Sequence, residues 1–179
     1  MKQKIVIACG IGIVVIAAVV GAYWLGHSQA KTSTPPGTTA SNVHLIDYTD
    51  NDGAESTVAL SGAIGDFGNA IRSDDHGAVM TLNLSHGTFQ LDITDLAKRF
   101  TTVVGTTAFN RATCSGNVSV AGPASIVANS GTGAYKGVSG SFLLTMNLDE
   151  TVTKQQNCDA HSKMLGQIIV SSGWGKVSL

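Results

Sequence analysis

A small antiparallel β-barrel of about eight strands, with one short helix and an N-terminal membrane anchor or signal segment, is the fold this sequence predicts. Three observations carry it. Apolar side chains recur at every second position through several short segments, as at Phe142, Leu144, Met146 and Leu148, and a period of two marks a strand with one buried face. Charged residues make up only 13% of the chain while glycine occurs 21 times, which suits strands joined by turns and argues against long solvated helices. The strand-like segments are short and closely spaced, an arrangement that favours a closed sheet over one with exposed edges.

The first 42 residues are read separately. Residues 5–25 hold no charge over 21 positions, enough to cross a hydrocarbon core that needs about 20 helical residues. Lys2 and Lys4 precede them and Tyr23 and Trp24 end them, so the positive-inside rule places residues 1–4 in the cytoplasm and the remainder outside. Residues 5–26 are thus a transmembrane anchor, with a cleaved signal peptide as the alternative because Ser28-Gln29-Ala30 offers small residues for a peptidase. Either way the domain leaves the cytoplasm, as a membrane-anchored or a secreted module. Cys9 reads as a small apolar side chain in lipid. Residues 27–42 are polar with Pro35, Pro36 and Gly37 and no periodicity, which makes them a flexible linker to a domain at 43–179.

Within that domain, residues 43–48 and 57–60 are strands around an Asn51-Asp52-Gly53 turn. Residues 61–73 carry Gly62, Gly65 and Gly68 without a sustained period, so Gly65-Asp66-Phe67-Gly68 reads as a loop with Phe67 packed inward. Residues 79–84 and 88–93 alternate on both sides of Ser85-His86-Gly87 and form a hairpin. Thr94 or Asp95 caps a short helix through residues 97–102 that sets Leu96 and Phe100 on one face, with Gly105 as its stop and one barrel end as its place. Residues 109–120 and 124–127 are two strands separated by Ala121-Gly122-Pro123. Residues 167–170 and 174–179 are two more, around Ser171-Ser172-Gly173. Before the long strand from Phe142 comes a turn at Gly131, Gly133, Gly137 and Gly140, positions where positive φ or close backbone approach costs no Cβ clash.

The chemistry-bearing residues are sparse. Cys114 and Cys158 lie downstream of an export segment, and such a pair is expected to oxidise to a disulfide. Closing its loop of about 45 residues would stabilise by roughly 4 kcal/mol on the chain-entropy view. Cys158-Asp159-Ala160-His161 has a Cys-x-x-His spacing, but a zinc motif needs a second pair and only Cys114 is left to add. No metal and no cofactor site is therefore assigned. Gly131-Thr132-Gly133 with Gly137 departs from the dinucleotide pattern, which places its third glycine at Lys136 and a helix after it. Gly137-Val138-Ser139-Gly140 misses the hydrolase elbow by one residue. Asp74-Asp75-His76 is the densest titratable cluster and reads as an exposed turn. No catalytic residue is assigned, and His44, His86 and His161 are given no role. Residues beyond 40 hold eight basic against twelve acidic side chains, a mildly acidic surface with no footprint for nucleic acid.

The run Gly131-Thr132-Gly133-Ala134-Tyr135-Lys136-Gly137-Val138-Ser139-Gly140, with the strand after it, resembles the Gly-x-Gly-x-aromatic-x-Gly-x-x-Gly signature of the allene oxide cyclase-like and dirigent-like barrels. Bacterial exported domains of this kind look similar through residues 62–66, Gly87-Thr88-Phe89 and Thr113-Cys114-Ser115. The resemblance covers about residues 60–148. It implies an eight-stranded antiparallel barrel with an inner cavity, carried by turn and packing positions. Two functions follow as expectations: a non-catalytic envelope module binding a small apolar ligand or an envelope partner, or an isomerase or cyclase-type enzyme using the cavity.

Overall fold

The computed structural model describes residues 40–50, 55–73, 78–154, 158 and 162–179, all within the compact unit Thr38–Leu179. Eight strands form a closed antiparallel barrel in simple sequence order, with the last paired to the first. They are β1 (Ser41–Thr49), β2 (Glu55–Gly62), β3 (Asp66–Arg72), β4 (Val79–Leu84), β5 (Gly87–Asp92), β6 (Ser115–Ile126), β7 (Ser139–Val152) and β8 (Met164–Ser178). One helix, α1 (Thr94–Thr106), follows β5. Strand β1 begins at Ser41, inside the stretch read as linker. Residues 5–25, the Asn51-Asp52-Gly53 turn, Asp74-Asp75-His76 and His161 lie outside the described residues. Among the described residues no helix is long and apolar enough to cross a membrane.

Alternation fixes the inward face of every strand. Val43 and Leu45 on β1, Met80 and Leu82 on β4, Phe89 and Leu91 on β5, and Phe142 and Leu144 on β7 are buried, while their neighbours point out. These side chains form one continuous core. The interior is thus occupied by packed hydrocarbon, as barrels of this strand number allow.

Six local expectations are corrected. Residues 66–72 form strand β3, paired with β2 and β4. Its outward Phe67 is 69% exposed, so the aromatic does not pack inward; Gly68 and the inward Asp66 hide the apolar alternation. Gly68 itself faces the chain, since a Cβ there would lie 1.9 Å from the Asn83 carbonyl oxygen. Strand β6 runs unbroken through Ala121-Gly122-Pro123. Proline is tolerated because β6 pairs with β5 only at Ile126 and Ser125, leaving Pro123 on a locally open edge. Residues before Ser115 form a turn in which Cys114 donates its N–H to Asn110. Strand β8 is also continuous through Ser171-Ser172-Gly173, where Gly173 meets the Leu143 carbonyl too closely for any Cβ. Finally, α1 continues through Gly105 to Thr106, and its start is held by Asp92, which accepts the Thr94 N–H at 2.9 Å. Its buried Leu96 packs on Gly122 of β6, so α1 covers the seam where β5 and β6 part.

The glycine segment finishes that seam. Thr132 and Val127 donate backbone N–H groups to Thr88 and Gln90, and Ala134 donates to His86, so the chain returning from β6 pairs the outer edge of β5 before a 3-10 turn at Gly133–Tyr135. Gly131 and Gly133 lie where a Cβ would strike the Tyr135 and His86 carbonyls. Gly137 and Gly140 differ instructively. Gly137 has φ +88° in open space, whereas Gly140 has φ +134° and a Cβ would sit 2.0 Å from the Lys176 carbonyl oxygen. Replacing Gly137 by Ala is expected to cost about 1 kcal/mol from backbone strain alone, and Gly140 by Ala about 3 kcal/mol because the β7–β8 ladder must also shift. Urea unfolding midpoints of the two variants check the order.

Candidate functional site

The barrel has two unlike ends. Strand directions place Asp66, the β4–β5 turn and the 3-10 turn at one end. The C-terminal ends of β1, β3 and β7 and the N-terminal ends of β2 and β8 lie at the other.

At the first end a single carboxylate holds three segments. Asp66 accepts the backbone N–H of Phe67 at 2.8 Å, of Ser85 at 3.2 Å and of His86 at 3.1 Å, together with the hydroxyls of Ser85 and Tyr135. His86 Nδ1 lies 3.0 Å from its second oxygen. Burial pushes the Asp66 carboxyl up, but the Ser85 and Tyr135 hydroxyls, the Phe67 N–H and His86 outweigh it and hold the group well below the usual carboxylate range. The Tyr135 phenol is pushed up by burial and by the same carboxylate. Its ring meets Phe89 edge-on at 5.3 Å. With every lone-pair direction engaged, Asp66 is a structural cap rather than a reactive group.

The opposite end carries polar groups with unused capacity. Asp47 points inward from β1, 1% exposed, with the Arg72 guanidinium 3.8 Å away. Ser56 donates its hydroxyl to the other carboxylate oxygen, and Ser171 is the β8 register partner of Asp47. Among the described residues, Asp47 Oδ2 and Ser171 Oγ have no partner in hydrogen-bonding geometry. Burial pushes the Asp47 carboxyl up; the Ser56 hydroxyl, the Arg72 charge and the nearby Ser171 hydroxyl pull it back without overcoming that. Burial lowers the affinity of Arg72 for its proton, against the attraction of Asp47. Glu150, inward on β7 near the mouth, is also pushed up by burial. At this end a cleft of about 850 Å³ is lined by Asp50, Asn110, Glu150, Gln167 and Ile168 among others. Neither Asp47 nor Arg72 is among the residues that line that cleft.

Of the residues singled out from the sequence, Cys114 and Cys158 are brought to disulfide distance, with Cα atoms 5.1 Å apart. They pack with Val152 and Phe109 in a small second core that tethers the β7–β8 connection. Glycines 131, 133, 137 and 140 shape the seam and the capped end. No group of three or more His, Cys, Asp or Glu side chains suited to a metal occurs among the described residues. His44 stacks on Trp174 at 4.8 Å and His86 serves Asp66. Sequence reading missed Asp47, Arg72 and Asp66; the one signal available was a polar residue at an inward position of an otherwise apolar alternation, as Asp47 is after Val43 and Leu45.

Fold and site together define a small closed up-and-down β-barrel, capped at one end and polar at the other. Compared with the known protein families, with curated proteins and with solved structures, the chain has no match.

Proposed function

We propose that the chain is a non-catalytic, extracytoplasmic barrel module that binds a small molecule in the cleft at its polar end. The observation that carries this reading is the contrast between that cleft and the lumen, which Phe89, Met80, Leu82 and Leu91 fill. A filled lumen leaves little for the apolar guest that the resemblance to allene oxide cyclase-like barrels suggested. The cleft volume lies within the range of small-molecule sites. Among the described residues, carboxylates and amides line it without a basic side chain, which favours a polar ligand that is neutral or cationic. Export is supported by the charge-free run at 5–25 and by two cysteines at disulfide distance.

A second reading, an acid/base isomerase or cyclase, is favoured by one observation. Asp47 and Glu150 are both inward at this end, and burial raises both, as proton-transfer chemistry near neutral pH requires. The test is a thermal-shift screen of the full chain with amines, sugars and carboxylates. An amine or sugar is expected to raise the melting temperature by several degrees, with the shift lost in Glu150→Arg and kept in Asn83→Glu on the far wall. A shift only with carboxylates, or one indifferent to Glu150→Arg, would overturn the cleft as the site. Turnover of a stabilising compound, abolished by Asp47→Asn, would favour the enzyme.

A further inference from the structure

The outer wall of the barrel is not uniform. On β4, β5 and β6 the outward residues are mostly polar, among them Thr81, Asn83, Thr88, Gln90, Asn117 and Ser119, with Val79, Ala121 and Pro123 the small apolar exceptions. On the wall running β7–β8–β1–β2–β3 they include large exposed apolar side chains set among polar ones such as Thr145, Asn147, Ser172, Thr57 and Asn69. Leu143 (65% exposed) pairs with Trp174 (61% exposed), which pairs with His44; two residues along, Ile46 pairs with Ala59, and Ala59 with the exposed Phe67. Tyr48 and Ile168 continue the patch toward the polar end. Five of these side chains, Leu143, Trp174, Ile168, Ile46 and Tyr48, share the side of the barrel formed by β7, β8 and β1 and expose on the order of 500 Å² together, taking about 200 Å² for each when fully exposed. That lies toward the upper end of the ~300–600 Å² of the largest patch on a typical monomer, and it would form the apolar centre of a contact to which each partner contributes ~800 Å² in a standard interface.

Charge on the rim says what covers it. Lys176 stands on β8 at the capped end, in register with Ser141 and Asn42. At the opposite end of the same wall, Asp149 is the β7 register partner of Ile168 on β8, and Asp50 follows the β1–β8 pair Thr49–Ile169. A two-fold axis lying in the interface and running across the strands near Ile46 and Ser172 lays β8 of one copy antiparallel on β8 of another. It sets each Lys176 over the other copy's Ile168, between Asp149 and Asp50. The patch is therefore self-complementary in shape class and in charge, as an isologous contact requires. We propose that the β7–β8–β1 face of this wall is where a second copy of the chain docks, forming a two-fold dimer with β8 against β8.

Sedimentation equilibrium of the full chain in a density-matched detergent tests it. Wild type is expected to sediment as a dimer at micromolar concentration. Ile46→Glu should weaken association by about 100-fold or more, while Asn83→Glu on the polar wall leaves it unchanged. Lys176→Glu should weaken association, and adding Asp149→Lys should restore it. Circular dichroism confirms that each variant keeps its sheet. A monomeric wild type, a dimer indifferent to Ile46→Glu, or failure of the charge swap to restore association would overturn the proposal. So would a monomer whose Ile46-dependent binding is to phosphatidylcholine vesicles, which would give the wall to a lipid surface.

Discussion

Asp66→Ala is expected to cost about 4–5 kcal/mol of folding stability. The carboxylate accepts three backbone N–H groups and two hydroxyls from segments that share no other single anchor. Hydrogen bonds to a charged group contribute about 1.5–3 kcal/mol each but do not add independently. Removing the acceptor also strands the Tyr135 hydroxyl, which is buried against Phe89. Asp66→Asn should fall between, since an amide oxygen accepts fewer and weaker bonds. The pH dependence follows from the depressed pKa. A carboxyl held below its unfolded value of about 3.9 binds fewer protons folded than unfolded there, so its stabilisation is present above that value and is lost as pH falls below about 4. Urea unfolding of wild type and Asp66→Ala at pH 7 and pH 3 measures this. The gap between them should narrow at pH 3, and an unchanged gap would contradict the cap.

Arg72→Ala is expected to cost about 3–5 kcal/mol, because removing one partner leaves a buried carboxylate without its countercharge. The variant relieves part of that by protonating Asp47, whose pKa rises further. The sign is then opposite to that of Asp66. A carboxyl whose folded pKa is raised binds more protons folded than unfolded, so stability increases as pH falls through that raised value. Arg72→Ala should therefore regain stability between neutral and mildly acidic pH, while wild type regains less. Replacing both, as Asp47→Leu with Arg72→Met, should recover most of the loss, since a packed apolar pair often equals a buried ion pair. Additive losses in the double variant would show that the two side chains do not act as a pair. The comparison also bears on function: a layer kept charged although an apolar one would hold the fold equally well points to use of Asp47 by a ligand or a reaction.

The sequence by itself determined the class of fold and the apolar and polar sides of its clearest strands. Alternation through residues 79–84, 88–93 and 142–148 is a local property that sets Met80, Phe89 and Leu144 on the apolar faces of their strands, and the structure turns those faces into the barrel. The expectation of export singled out Cys114 and Cys158, and the glycines at 131–140 announced a close backbone approach. Even so, the agreement in strand number owes something to compensation. Residues 109–127 and 167–179 each read as two strands where the structure has one, and β3 was read as a loop.

Tertiary structure decided the rest, for reasons that no window of residues contains. Pro123 reads as a break until β6 is seen to lack β5 beside it, and Phe67 reads as core until Asp66 and Gly68 are seen to occupy the inward face. The two polar centres depend on closure. Asp47 meets Arg72 across β2, and Asp66 meets Tyr135 at a separation of 69 residues. Side-chain period states which face of a strand is buried, but strand stagger on barrel closure states which inward residues share a level. A lone inward aspartate is therefore visible in the sequence, while its partner Arg72 is brought to it by the pairing of β1, β2 and β3, and its burial and proton affinity arise when the barrel forms around it.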